Sequence, residues 1–256
     1  MSFPDHFSDV SSAYAEYRPR YPDSLFAWLA ELPAGRDLAW DCATGSGQAA
    51  IGLASRFERV IGTDASAGQI AAAVPDPRVD YRVAPAEESG LDSESVDLVT
   101  VAQALHWLDR PAFFAEARRV LRRGGAIAAW TYGNPRLDDA RSDEVLRRFT
   151  SETVGPYWPP ERALVDAEYR TIDFPFAELD PPAFEMDARW PLAALLGYIG
   201  TWSATTRFRA ARGYDPLPEL TAQLQPFWGD PETPRRIDWP LALRAGRREA
   251  IRKVSE

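Results

Sequence analysis

The sequence predicts a doubly wound α/β fold: a mostly parallel, seven-stranded sheet with an antiparallel edge strand and a small cap. Three observations carry this. Short β-rich runs alternate with helical patterns from Leu38 to about Trp130, which implies a parallel sheet with right-handed crossovers. Groups of residues able to touch a ligand follow four of the predicted strands. Beyond Tyr132 the texture changes to a segment rich in proline and aromatic residues.

Taken in order, the predicted strands are Leu38–Asp41, Val60–Asp64, Val79–Ala84, Val96–Ala102 and Ala126–Trp130. Helices are predicted at Gln48–Phe57, Ala67–Val74 and Pro111–Leu121. In the last of these, Phe113, Phe114, Ala117, Val120 and Leu121 share one face at helical spacing, and Gly124-Gly125 stops it. Further helices are expected at Ser142–Val154 and Leu192–Thr205. Glu185–Ala188 and Ile237–Leu243 are expected to pair as antiparallel strands at the sheet edge, completing seven. Residues 1–256 are read as one domain, with a cofactor-binding core at 38–132, a cap and substrate region at 133–236 and the edge strand at 237–244. The charged run Arg244 to Glu256 is expected to fray.

Composition narrows the chemistry. The 256 residues are 45% hydrophobic and 26% charged, ordinary for a globular chain. A net charge of −9 argues against tracking a phosphate backbone, which needs a basic surface, so no nucleic-acid partner is expected. No apolar run approaches the roughly 18 to 20 residues needed to span a bilayer, and Met1 to Arg20 lacks the pattern of a secretory leader. A single cysteine, Cys42, excludes an internal disulfide framework; the expected setting is the cytoplasm. Lys253 is the only lysine, which removes phosphate-loop, Schiff-base and kinase-type chemistry. With His6 and His106 as the only histidines, no metal site is expected. No G-x-S-x-G elbow is present. Chemistry done by a bound cofactor remains.

A doubly wound sheet binds ligands at the carboxyl ends of its strands, near the point where strand order reverses. After the first strand come Gly45 and Gly47, which permit positive φ and close backbone approach. The run Gly45-Ser46-Gly47-Gln48-Ala49-Ala50 also satisfies G-x-G-x-x-A, so a nicotinamide-dependent oxidoreductase is a rival reading. Asp41 separates the two. Its carboxylate, expected to face the crevice, would repel a pyrophosphate but favour a sulfonium and an ammonium by roughly 1 to 4 kcal/mol at about 4 Å. A loop hydrogen bond is its alternative role. Asp64, 23 positions later, suits ribose hydroxyls in either cofactor, or a helix cap. Ala86-Glu87-Glu88 follows the third strand and can read an adenine edge.

The set D-x-A-x-G-x-G (Asp41 to Gly47), V-I-G-T-D (Val60 to Asp64), A-E (Ala86, Glu87), V-D-L-V-T-V-A-Q-A-L-H-W (Val96 to Trp107) and R-V-L-R-R-G-G (Arg119 to Gly125) resembles class I methyltransferases of Rossmann-like fold. More narrowly it is similar to the type-11 group that includes trans-aconitate methyltransferases, as are Tyr14-x-x-Tyr17-Arg18-Pro19-x-Tyr21-Pro22 and Thr201-Trp202-Ser203. The resemblance implies S-adenosyl-L-methionine as cofactor and S-adenosyl-L-homocysteine as product. It places Asp41 near the methionine ammonium, the loop from Ala43 through Gly45 to Gly47 beside the methionyl portion, and Asp64 with Ala65 at the ribose. Ala86 and Glu87 face adenine, Gln103 approaches the methionine end, and Tyr14 and Arg18 close over the cofactor. Two residues depart from the pattern. Ala43 replaces a glycine, which is tolerable if its φ is negative, and Pro85 stands where an acid often precedes the alanine.

On the acceptor side, His106 follows the fourth strand and is the candidate general base; its alternative is to orient Trp107 or a loop. Trp107, Trp202 and Arg207 are the candidate substrate contacts. Arg207, Arg209 and Arg212 cluster after Trp202 and suit an anionic small molecule, or form a solvated helix end. Most cap aromatics are expected in a core. The expected reaction is methylation of a small organic acceptor at a carboxylate or hydroxyl oxygen. A non-catalytic cofactor-binding relative is the remaining alternative, and oligomeric state is left open.

Overall fold

A computed structural model describes residues 18–249. In chain order its elements are α1 (Asp23–Glu31), β1 (Leu38–Cys42), α2 (Gln48–Ala54), β2 (Arg59–Asp64), α3 (Ala67–Ala71), β3 (Val79–Val83), β4 (Val96–Ala102), α4 (Arg110–Val120) and β5 (Leu121–Tyr132). There follow β6 (Arg136–Leu137), α5 (Ala140–Arg148), α6 (Arg162–Asp166), β7 (Ala177–Leu179), β8 (Asp187–Trp190), α7 (Leu192–Gly200), α8 (Ser203–Arg212), α9 (Leu217–Trp228), β9 (Arg235–Asp238) and β10 (Leu241–Arg247).

Strands β1 and β4 are buried along nearly their whole length, as expected where helices cover both faces of a parallel sheet. The seven-stranded sheet runs β3-β2-β1-β4-β5-β10-β7. The pairs from β3 through β5 are all parallel, and β10 is antiparallel to both β5 and β7. The chain leaves β1 toward β2 and β3, then crosses back to β4, so the switch point lies between β1 and β4. One core layer packs Phe113, Phe114, Ala117 and Val120 of α4 against Trp40 and Val99. The other packs Leu25 and Leu29 of α1, with Ala50 and Leu53 of α2, against Ala39, Leu98 and Trp130.

Several expectations need correction. Gly124-Gly125 do not end a helix in a turn. α4 stops at Val120 and the chain passes straight into β5, with Gly124 at φ 76° beside a register shift between Val96 and Leu98, the mark of a bulge. The segments around Glu185–Ala188 and Ile237–Leu243 do pair, with Ala188 opposite Ile237. The Asp187-Ala188 end of the first segment and the Ile237 end of the second belong to a separate three-stranded sheet, β6-β9-β8, while Leu241–Leu243 pair antiparallel with β5 in the main sheet, as expected. Trp239-Pro240 separates β9 from β10, since proline cannot donate to a ladder. The main sheet is extended by β10, which carries the expected strand on through Arg244 to Arg247 in regular pairing where fraying was expected, and by β7 from within the 133–236 segment. The helix expected over Leu192–Thr205 is two helices: Trp202 is extended at φ −68°, ψ 140°, and Thr205 Oγ1 donates to the Ile199 carbonyl at 2.9 Å. The one expected from Ser142 begins at Ala140, capped by Asp139, whose carboxylate accepts the Ser142 N–H at 2.9 Å. Beyond Arg148 it continues as a single π-turn, Phe149–Thr153. Among the described residues, no helix is long and apolar enough to cross a membrane.

Candidate active site

The carboxyl ends of β1, β2, β3 and β4 surround a cavity of about 870 Å³, within the range of roughly 300–1,000 Å³ usual for cofactor sites. Its wall includes Ala43, Gly45, Asp64, Ala65, Ala86, Glu87 and Gln103, with Arg18 and Trp107. Nine residues singled out by sequence therefore meet in one place. Tyr14 lies outside the described residues.

The loop after β1 is built on positive backbone angles. Gly45 has φ 55° and Gly47 φ 87°. A Cβ on Gly47 would lie 2.1 Å from the Tyr81 hydroxyl, so this position needs glycine for space as well as angle. Ala43 also has a positive φ, 53°, contrary to the expectation of a negative one. An alanine there carries strain of about 1–2 kcal/mol. Gln103, at the end of β4, shares this geometry at φ 56°; non-glycine residues so held are a frequent mark of functional loops.

Asp41 does not reach the cavity wall. It is fully buried beneath the loop, where its carboxylate accepts the hydroxyls of Thr44 at 2.6 Å and Thr100 at 2.8 Å. It thus clamps the loop to β4. Burial raises its pKa to about 6, with the hydrogen bonds opposing and the neighbouring Asp64 adding. Asp64 does line the cavity. One of its oxygens accepts the Gly45 N–H and the other the Ser66 N–H, each at 2.9 Å, so it also sets the loop's shape.

A second chamber, about 180 Å³, adjoins the first. Arg18, Gln103, Trp107 and Tyr132 line both, and Arg18 donates to the Tyr132 hydroxyl at 2.9 Å at this junction. Gln103 is held by the Thr131 hydroxyl, which donates to its Oε1 at 2.7 Å. The predicted residues His106, Trp202 and Arg207 sit in the chamber wall with Tyr198, Trp158 and Arg162. Arg162 stacks over Trp158 at 4.4 Å and donates to Asn134 Oδ1 at 2.7 Å. The arginine cluster expected after Trp202 is divided. Arg207 lines the chamber, whereas Arg209 binds Asp215 and the Gly200 carbonyl, each at 3.1 Å, as a clamp at the end of α8.

His106 is held as a weak base. Burial, followed by the charges of Arg162 and Arg110, lowers its pKa to about 3, so it holds a proton too weakly to be an efficient base near neutrality. Its Nδ1 is paired with the Tyr169 hydroxyl at 2.8 Å. Sequence reasoning missed Tyr132, Arg162, Trp158 and Tyr169. Tyr132 ends β5 and had the same positional signal as Gln103; Trp158 and Tyr169 lie in irregular chain and Arg162 opens the short α6, and these three had none.

A cavity at the switch point, walled by a glycine loop and strand-end carboxylates, defines a doubly wound enzyme that uses a nucleoside-type cofactor. Comparisons with known proteins make the class specific. Residues 40–129 match a methyltransferase domain family, Methyltransf_11. The chain is 37% identical over 225 residues to a Dictyostelium discoideum protein classed as a methyltransferase, covering 87% of this chain and 86% of that one. It is 33% identical over 138 residues to a Saccharomyces cerevisiae protein classed as an S-adenosylmethionine-dependent methyltransferase, covering 50% of this chain and 47% of that one. A solved structure from Anaeromyxobacter dehalogenans, described as a type II methyltransferase, is 50% identical with a TM-score of 0.86, covering 91% of this chain and 99% of that one. The chain belongs to the class I S-adenosylmethionine-dependent methyltransferases. The larger cavity fits that cofactor: its wall offers backbone amides, carboxylates and Arg18 and, among the described residues, no lysine.

Proposed function

We propose that this enzyme transfers the methyl group of S-adenosylmethionine to an oxygen of a small anionic molecule, most simply a carboxylate, held in the smaller chamber. One observation carries the reading: Arg18, Arg162 and Arg207 line that chamber, and among the described residues no aspartate or glutamate does. Arginine forks match carboxylate geometry and are hydrated weakly enough to meet it away from bulk water.

The cofactor supplies a carbon already activated by positive sulfur. The residues need only bind, align and exclude water. Asp64 is proposed to take ribose hydroxyls and the Ala86-Glu87 segment the adenine edge; Pro85 offers no N–H there, so that task falls to Glu87, Glu88 or a carbonyl. Asp41 acts from beneath the loop, where its charge favours a cationic ligand above. Arg18, Gln103, Trp107 and Tyr132 stand between the cofactor and the acceptor. A carboxylate nucleophile is ionised at neutral pH and needs no base, in keeping with the weak basicity of His106.

The test is incubation of the enzyme and methyl-labelled cofactor with a metabolite extract fractionated by charge. Label should enter small acids as base-labile methyl esters. Label found only in amines, in RNA or in protein would sink the reading.

A further inference from the structure

We propose that β3 is the docking edge for a second copy of this chain. The two β3 strands would pair antiparallel about a two-fold axis at Tyr81, so that one sheet runs through both copies.

β3 is the terminal strand of the main sheet, and its outer side carries backbone groups that need a partner. The Arg78 carbonyl accepts the Val60 N–H at 2.8 Å, and the Ala84 N–H donates to the Asp64 carbonyl at 3.0 Å. The even-numbered residues therefore turn their backbone groups toward β2, to which β3 is parallel. These groups alternate in side along a strand, so Val79, Tyr81 and Val83 turn theirs outward. The Val79 N–H bends back to the Asp76 carbonyl at 3.0 Å. For the outward groups of Tyr81 and Val83 no further strand stands beyond β3 among the described residues. Such a row is a template for another strand.

Charges usually blunt an exposed edge by repelling a second copy. Here they select a register instead. An antiparallel partner must set odd-numbered residues opposite odd-numbered ones, which allows axes at Asp80, Tyr81 or Arg82. An axis at Asp80 or Arg82 puts like charges directly opposite each other, which destabilises the pair. The axis at Tyr81 puts Asp80 opposite the partner's Arg82 and Arg82 opposite the partner's Asp80. Both side chains are exposed, and within one chain they hold each other at 2.6 Å. The same axis sets Val79 opposite the partner's Val83 and lets the two Tyr81 residues exchange both backbone hydrogen bonds.

A charge pattern that reads alike from both strands fits an isologous contact with an identical chain. Apolar surface agrees with it. Val83 is exposed, and so is Val74, whose carbonyl accepts the Tyr81 hydroxyl at 2.9 Å. Of the three large hydrophobic residues exposed among the described ones, two thus lie at this edge. Pro77 and Pro85 bracket the strand and confine the ladder to it, since proline has no N–H to give. The opposite edge of the sheet lacks the property. β7 is centred on Glu178, which a two-fold axis there would set against its own copy.

Sedimentation of the full-length protein over a concentration series tests this. The wild type should form a reversible dimer. Asp80→Arg and Arg82→Asp each put like charges opposite each other at both ends of the ladder, and each should leave a single-chain mass. The double variant Asp80→Arg/Arg82→Asp restores opposite charges and should dimerise as the wild type does. An equimolar mixture of the two single variants should form a mixed dimer. An exposed ion pair adds little to folding, and neither position lines a chamber. S-adenosylhomocysteine affinity should therefore stay within about twofold in every variant. A single-chain wild type at concentrations up to about 0.5 mM overturns the proposal. So do single variants that remain dimeric, and so does a folded double variant that stays a single chain. If one single variant does not fold, the other and the double variant still decide.

Discussion

The two chambers share four wall residues but are made in different ways. The cofactor cavity is shaped by backbone: strand ends, a loop at positive φ, and two carboxylates that accept loop hydroxyls and amides. The acceptor chamber is shaped by side chains. Arginines and aromatics reach it from α6, α7, α8 and the irregular segment before α6. Backbone shape needs particular residues at fixed spacing, so it leaves a pattern in the sequence. A side-chain wall assembled from distant elements leaves little. The same difference predicts that substitutions in the two chambers will separate cofactor affinity from acceptor recognition.

Gly47→Ala should have the largest effect. It adds a Cβ against Tyr81 at φ 87°, and overpacking of about 1–3 kcal/mol joins strain of about 1–2 kcal/mol. Thermal stability and S-adenosylhomocysteine affinity measured by calorimetry should both fall. A normal melting temperature with normal affinity would show that the loop is not shaped by backbone in this way.

Asp41→Asn should act next most strongly, with opposite sign at higher pH. The folded pKa of Asp41 is about 6 against an ordinary 3.8. The folded state therefore holds the proton more tightly, and wild-type stability falls as pH rises through that window. The asparagine does not titrate. Its stability relative to wild type should grow by about 2 kcal/mol between pH 4 and pH 7, while affinity for the cationic cofactor weakens. Denaturant melts at the two pH values check the first; a flat difference would mean that Asp41 is not charged at a cost.

Arg162→Gln belongs to the other chamber. Loss of a charge-assisted contact of about 1.5–3 kcal/mol should raise the acceptor KM roughly 10- to 100-fold and leave cofactor affinity unchanged. An equal loss of cofactor affinity would collapse the distinction between the chambers.

How far the sequence could be read follows the same division. β1, β4 and the loop between Asp41 and Gly47 were legible, because a strand buried on both faces must be a continuous apolar run and a tight loop needs its glycines. The positive φ of Ala43 was not, since alanine is not chosen for that angle. Helix α9 was hidden by Pro218 and Pro226, although the first falls in the opening turn, where a missing N–H costs little. The strand character of Arg244 to Arg247 was masked by charge. Arg244 earns its place through Glu178 and the Tyr169 carbonyl, partners far away in the chain. Arg162 and Tyr169 had no local signal at all. Their meaning exists only after α6 and the segment behind it have folded over the end of β4.

The smallest expected effect concerns the one loop residue that breaks the backbone rule. Ala43→Gly should relieve strain of about 1–2 kcal/mol at φ 53°, but glycine adds unfolded-state entropy worth about 0.5–1 kcal/mol. The net gain in stability should be a few tenths to about 1 kcal/mol, read as a small rise in melting temperature. Cofactor affinity should hold, because the loop already has the angle that glycine would take. Destabilisation would instead mean that the methyl group of Ala43, which lines the cavity, contributes contacts that outweigh its strain. In that event side-chain packing, the logic of the acceptor chamber, would extend into the cofactor loop as well.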